Sequence, residues 1–323
     1  MRRFSRRSLT VVVSAVALAP AVLAGCGEDK KKGPTPPPFA TLAPKDAGAL
    51  NAAAVLSATD AWAAGQSLLH FDGKVWKSLS LPEGATIFAL YSAGDTAWAV
   101  GSRGAIVELK GGAATPLRAE PRETLRAICG SGAGDIWAFG EGGLALHRSA
   151  ADGTWDPADV PVPQTVKGCH IEPDGRGLLY GTDSSLGTVT VQLSGGTWTD
   201  KPRTGSGFSA IEDVVVMSGS DAYPGAIYGV GADTAGNGVL GEWGDRWSVK
   251  AQQLGGHALS VYRADEGLWI GGTGHLTLVD PADFSDRSPM QFAGNIWDIA
   301  GVDTLIVAVG EVDGSGRILF RQF

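Results

Sequence analysis

A short apolar strand ending in glycine recurs along almost the whole chain and constrains its folding more than any other feature: Trp62-Ala-Ala-Gly65, Trp98-Ala-Val-Gly101, Trp137-Ala-Phe-Gly140, Leu178-Leu-Tyr-Gly181, Tyr228-Gly-Val-Gly231, Trp269-Ile-Gly-Gly272 and Val307-Ala-Val-Gly310. The glycines are spaced by 36, 39, 41, 50, 41 and 38 residues. Self-similarity at such a period marks an array in which each unit buries its apolar faces against its neighbours.

Upstream of each glycine strand lies an apolar pair bracketing mostly small residues: Leu50-Asn-Ala-Ala53, Ile87-Phe-Ala-Leu90, Leu125-Arg-Ala-Ile128, Val166-Lys-Gly-Cys169, Ile211-Glu-Asp-Val214, Ala258-Leu-Ser-Val261 and Ile296-Trp-Asp-Ile299. This pattern suits an innermost strand crowded at an axis. Downstream come a third strand, such as Ser67 to Phe71 or Ala105 to Leu109, and a fourth around Trp76, Trp155, Trp198 or Trp247, separated by Gly, Asp and Ser turns. Glycine supplies 47 of 323 residues, and after Pro44 the longest stretch free of Gly and Pro runs only from Ala49 to Ala64, which excludes long helices. Ala49 to Ala58 favours helix by propensity, but the repeat register makes it an inner strand. Eight of the ten tryptophans fall at two recurring strand positions and are assigned to packing between units; Trp243 and Trp297 lie off the pattern.

The expected fold is all-β, a seven-bladed β-propeller with four-stranded blades. The seventh unit ends at Phe323 one strand short, and Phe39 to Pro44 precedes the first inner strand without a role. That segment is expected to close the last blade as its outer strand, so deleting residues 39 to 44 should lower the melting temperature. The W-A-V-G units resemble those of bacterial β-propellers, akin to BNR-type repeats and to the propellers of photosystem assembly factors, over about residues 45 to 323. No intact sialidase Asp-box, S-x-D-x-G-x-x-W, is present, which argues against sialidase activity.

The amino terminus carries an address. Arg2, Arg3, Arg6 and Arg7 precede an apolar run from Leu9 to Leu23, which is shorter than the roughly 20 residues needed to span a bilayer. Leu23-Ala24-Gly25-Cys26 follows and resembles the bacterial lipobox. The resemblance implies a lipoprotein signal peptide over residues 1–25 and acyl chains on Cys26, palmitate among them, that anchor the chain in a membrane. Residues 26–38, lysine-bearing and then proline-rich, read as a tether, and residues 39–323 as the propeller. Gly27, where an Asp would resemble an inner-membrane retention signal, points to the outer membrane, and hence to a lipid-anchored envelope protein, periplasmic or surface-exposed. Without residues 1–25 the chain has 22 basic and 34 acidic side chains, a net charge of 22 − 34 = −12, which disfavours nucleic acid as a partner.

Aligning Thr124 to Gly140 with Thr165 to Gly181 places Cys129 opposite His170 and Cys169 opposite Ile128. The two thiols are one step out of register and project from opposite faces of adjacent blades, either towards each other or away, leaving open a disulfide or two buried thiols. His70 and His147 share a third-strand position, which repeat packing explains better than metal binding. Common hydrolase and nucleotide-binding motifs are absent, and neither cofactor nor metal is expected.

Propeller ligands usually approach the mouth of the axis. Here that face maps to Arg126, Lys167, Glu212, Asp213, Trp297 and Asp298 on inner strands, and to Arg103, Glu141, Asp183 and His275 on loops. Mixed charge around one tryptophan suits protein or glycan recognition. The long interval between Gly181 and Gly231 adds loop length, assigned to Thr204 to Ser209 and Ser218 to Ala226. The leading expectation is a monomeric, lipid-anchored, non-catalytic platform for envelope proteins. The alternatives are glycan binding without turnover, and a glycoside hydrolase or lyase using Glu212, Asp213 and Asp298.

Overall fold

The computed structural model describes residues 38–82, 84–118, 122–149, 151–183, 187–201, 208–217, 226–244, 247–287 and 289–323. The expected signal segment, Cys26 and the tether up to residue 37 lie outside the described residues, as do residues 204–207 and 218–225 of the two assigned loops. Among the described residues, every regular element is a β-strand except two single-turn 3-10 segments, Ser102–Gly104 and Glu141–Gly143.

The first blade is Leu50–Ser57, Asp60–Gly65, Leu68–Phe71 and Trp76–Leu79, paired in that order from the axis outwards. The second is Ile87–Ala93, Thr96–Gly101, Ile106–Lys110 and Ala113–Arg118, and the third Leu125–Gly132, Asp135–Gly140, Ala145–Arg148 and Trp155–Pro157. The fourth is Thr165–Ile171, Gly177–Asp183, Gly187–Ser194 and Thr197–Lys201, and the fifth Ala210–Val216, Ile227–Ala232, Gly238–Trp243 and Trp247–Gln252. All pairings are antiparallel.

The seven-bladed expectation is corrected here, because the strands form six sheets and therefore six blades. The sixth and seventh sequence repeats share one six-stranded sheet made of Ala258–Ala264, Gly267–Val279, Met290–Val302, Leu305–Val312, Ser315–Gln322 and Ala40–Leu42. Two 13-residue strands carry the fusion. Gly267–Val279 stays extended where 3-10 turns separate the second and third strands of blades two and three, and it pairs with Met290–Val302 through Thr273↔Asn295 and Leu276↔Met290. Met290–Val302 then continues into the innermost strand of the seventh repeat.

Ala40–Leu42 lies antiparallel on Ser315–Gln322, with Ala40 opposite Phe320 and Leu42 opposite Ile318. Gly48 bridges to Ser315, and Gly316 N–H donates to the Ala47 carbonyl. Each inner strand packs on the next, and Met290–Val302 packs on Leu50–Ser57, which closes the ring. The alanine-rich stretch is a strand because Ala52, Ala53 and Ala54 are 2–5% exposed between converging sheets, where tertiary packing outweighs helix propensity.

The glycine signature has a physical cause. A Cβ at Gly65, Gly101, Gly140, Gly181, Gly231, Gly272 or Gly310 would fall onto the carbonyl oxygen of Ala49, Thr86, Thr124, Thr165, Ala210, His257 or Asn295, respectively. In blades one, two and three that oxygen accepts the N–H of the residue after the glycine. The close approach opposes each glycine to the start of an inner strand, and a β-bulge follows at once in every repeat: Leu50/Ala52, Ile87/Ala89, Leu125/Ala127, Val166/Gly168, Ile211/Asp213, Ala258/Ser260 and Ile296/Asp298.

Candidate functional site at the axial mouth

A bulge adds one residue to a strand and re-aims its side chain. The seven bulged residues are Asn51, Phe88, Arg126, Lys167, Glu212, Leu259 and Trp297, and all seven line one depression of about 160 Å³ at the axis. Repetition of one backbone irregularity thus builds a collar with a different side chain from each unit. Leu259, Trp297 and Phe88 form its apolar side, interrupted by Asn51, whose Nδ2 donates to the Ile87 carbonyl at 2.8 Å. Arg126, Lys167 and Glu212 form its charged side. Trp297 is 36% exposed, unlike Trp62 and Trp247, which are buried between sheets.

The collar charges are paired. Arg126 Nη2 lies 2.6 Å from Glu141, which the Glu141–Gly143 turn brings to the same rim, and its guanidinium sits 4.2 Å above the Phe88 ring. Both partners of this ion pair are solvent-accessible, so it contributes at most about 1 kcal/mol and can be exchanged. Lys167 Nζ lies 2.8 Å and His257 Nε2 3.3 Å from the Glu212 carboxylate. Burial pushes the Glu212 carboxyl up, but the His257 and Lys167 hydrogen bonds outweigh it and hold the group below its ordinary value.

Asp213 and Asp298 sit below the collar, one residue further along their strands, and border both the mouth and a second opening of about 360 Å³ on the far side. Asp213 accepts the N–H groups of Val214 and Val261, each at 2.8 Å, together with the Tyr180 hydroxyl at 3.2 Å. Asp298 accepts the N–H groups of Ile299 and Ala53, each at 2.8 Å. Ser260 Oγ stands between them, 3.2 Å from Asp213 and 3.4 Å from Asp298. Val214 and Ile299 donate from the acids' own strands, whereas Tyr180, Ser260, Val261 and Ala53 donate from neighbouring units, so the carboxyls tie the fourth, fifth, sixth, seventh and first repeats together.

The structure therefore gathers Arg126, Lys167, Glu212, Asp213, Trp297 and Asp298 at one mouth, with Glu141 beside them. Arg103, in a left-handed conformation on the Ser102–Gly104 turn, and Asp183, at the end of the second strand of blade four, are not among the residues lining it. His275 is corrected from a loop to a buried position on Gly267–Val279, with Nδ1 3.1 Å from the Thr273 carbonyl; burial lowers its pKa. Sequence reasoning missed Asn51, Phe88 and Leu259 as collar members, and Tyr180 and Ser260 as partners of the buried acids. The first three were readable from the repeat alignment, since they occupy the same column as Arg126 and Trp297.

Cys129 and Cys169 form a disulfide with Cα atoms 5.8 Å apart, joining the inner strands of blades three and four, and Cys169 borders the mouth. Of the two orientations left open by the register, the thiols face each other. His70 and His147 pair with Asp60 at 3.0 Å and Asp135 at 2.7 Å and stack on Trp62 and Trp137, a packing arrangement repeated in two blades.

No protein-family profile and no curated protein sequence matches the chain. Its fold is similar to that of "YCF48 bound to D1 peptide" (TM-score 0.64, 15% identity, covering 89% of this chain and 96% of that one). It is also similar to YCF48 from Cyanidioschyzon merolae (TM-score 0.61, 14% identity, 87% and 98% covered) and to the WD40 β-propeller domain of Doa1 (TM-score 0.64, 11% identity, 87% and 95% covered). At these identities the likeness is one of fold: the chain is a β-propeller.

Proposed function

We propose that the protein is a non-catalytic platform that binds other proteins at its axial mouth, tethered by acyl chains on Cys26 to the outer membrane of a bacterial envelope. The observation that carries the binding reading is the collar, in which every repeat spends a bulge on presenting one side chain to the same depression. The mixture of an exposed tryptophan, two further apolar side chains and exchangeable ion pairs is the composition of a recognition surface. One of the similar propellers is described as bound to a peptide, which supports a polypeptide partner. The non-catalytic reading rests on how the three candidate carboxylates are used. Glu212 is occupied by Lys167 and His257, while Asp213 and Asp298 are occupied by backbone N–H groups, so their hydrogen-bonding capacity already serves the collar and the ring.

Cross-linking in intact cells followed by mass spectrometry tests the platform. A reproducible protein neighbour, reduced about tenfold or more by Trp297→Ala, is expected. Recovery of no such neighbour, or one indifferent to Trp297→Ala, would overturn the reading, and retention of cell-wall glycan instead would replace it with glycan binding. For the anchor, Cys26→Ala should move the protein from the membrane fraction to the soluble fraction.

A further inference from the structure

The buried acids at the axis pose a counting problem in hydrogen atoms. Asp213 Oδ2 accepts Val261 N–H and faces Ser260 Oγ, while Asp298 Oδ1 accepts Ile299 N–H and faces the same Oγ. Ser260 Oγ in turn accepts Ile299 N–H at 3.0 Å. A serine hydroxyl has one hydrogen to give. It can be donated to Asp213 or to Asp298, but not to both. Were both carboxyls ionised, one of the two contacts would set an oxygen lone pair against a buried anion without a hydroxyl hydrogen between them, and at Asp298 only the Ile299 N–H, shared by both oxygens, would stand beside the contact.

The surrounding charges do not remove the problem. Above the acids, Arg126 is paired with Glu141, and Lys167 with Glu212. On the far side, His170 is paired with Glu172 at 2.6 Å, and Tyr91, Tyr262 and Arg263 line the opening. Beside them, Tyr180 already gives its hydroxyl hydrogen to Asp213. From the first repeat, the Ala53 backbone N–H donates to Asp298. One further hydrogen on a carboxyl completes the set, because a protonated Asp298 donates to Ser260 while Ser260 donates to Asp213.

We infer that the network Asp213–Ser260–Asp298 binds one proton at neutral pH, and that this proton forms part of the closure between the last and first repeats. The inference does not depend on what the mouth binds. Burial, followed by the charge of Asp213, pushes the Asp298 carboxyl up to about 7, and burial raises Asp213 as well, in agreement with the hydrogen count. The sign follows. A carboxyl whose folded value exceeds its unfolded one contributes stability that is complete below the unfolded value and is lost as pH rises through the folded value. The window for Asp298 thus opens near its ordinary 3.8 and ends near 7. Within it the folding equilibrium constant should fall about tenfold per pH unit, the dependence expected for one proton held by the folded state alone.

The test compares chemical unfolding of the full-length wild type and Asp298→Asn between about pH 5 and about pH 9. The amide is neutral at every pH and keeps both an acceptor and a donor. Ion pairs involving histidine are common to both proteins and cancel in the comparison. The wild type should lose stability relative to the variant across the lower part of the range by about tenfold per pH unit, and the two curves should run parallel above about pH 8. Curves parallel throughout would overturn the inference. Infrared difference spectroscopy of the wild type between about pH 6 and about pH 9 does not depend on the variant folding. It should show the loss of a protonated carboxylic acid band that shifts in heavy water, and absence of that band at the lower pH would equally overturn the inference.

Discussion

The ring is held together differently on its two sides. In the fifth, sixth and seventh repeats the position after each bulge carries Asp213, Ser260 and Asp298, and the inner strands from the fourth repeat round to the first are stitched by hydrogen bonds from Tyr180, Val261, Ile299 and Ala53. In the first four repeats the same position carries Ala52, Ala89, Ala127 and Gly168. There the inner strands meet through apolar side chains, the Asn51 bond to Ile87, and the Cys129–Cys169 disulfide. The difference teaches how the axis can be closed. Small side chains let the inner strands converge with little to satisfy, whereas a buried acid is tolerated only with a complete set of donors, several of which come from neighbouring units. The polar side is therefore the more specific one and the less forgiving of change.

The largest expected effect follows directly. Asp213→Ala removes the acceptor of two buried N–H groups and two hydroxyls at once, and at about 1–3 kcal/mol for each stranded donor, offset in part by relief of a buried charge, the loss should be about 4 kcal/mol. Ala127→Gly, at the same column on the apolar side, should cost only about 1 kcal/mol. Denaturant unfolding of both variants measures the contrast. Equal losses would mean that the stitching carries no more weight than ordinary packing.

On the apolar side the disulfide takes the part played by the acids. It closes a chain separation of 40 residues, and replacing both cysteines with alanine should cost about 3 kcal/mol, with a reducing agent bringing the wild type close to the variant. Non-reducing peptide mapping checks the premise. Two freely alkylated thiols would leave that side with packing alone and make the contrast sharper still.

The repeat arithmetic made the propeller legible because each glycine in the signature marks a physical collision, and a collision leaves an unambiguous trace in sequence. Most of the mouth was legible for the same reason, since Arg126, Lys167, Glu212 and Trp297 occupy the bulged column. The number of blades was not. Whether two repeats form separate sheets or one depends on whether a link such as Met290–Val302 stays extended, and the glycine spacings of 41 and 38 residues around it resemble the 36, 39 and 41 of the first blades. The partners of Asp213 and Asp298 were illegible too, because backbone N–H groups carry no sequence signal. The burial of His275 was hidden likewise, since the strand that holds it runs on through a place where other blades turn.

The smallest expected effect concerns the seam at which the two sides meet. Phe39, just ahead of the Ala40–Leu42 strand, packs edge-on against Trp269 at 5.1 Å and lies 5.5 Å from the Arg321 guanidinium. Arg321 is almost fully buried, pairs with Glu266, and also faces the rings of Trp269 and Phe323. Phe39 is thus one wall of an aromatic enclosure around a buried cation. Phe39→Ala should cost about 1–2 kcal/mol through lost edge-to-face and cation–π contact, while the three backbone pairings of Ala40–Leu42 with Ile318–Phe320 remain. Deleting residues 39–44 removes both and should lower the melting temperature further. If Phe39→Ala melts with the wild type while the deletion does not, the seam is closed by backbone pairing alone. If the two variants melt together below the wild type, the aromatic wall is what keeps the strand in place, and closure on this edge is as dependent on one side chain as the axis is on Asp213.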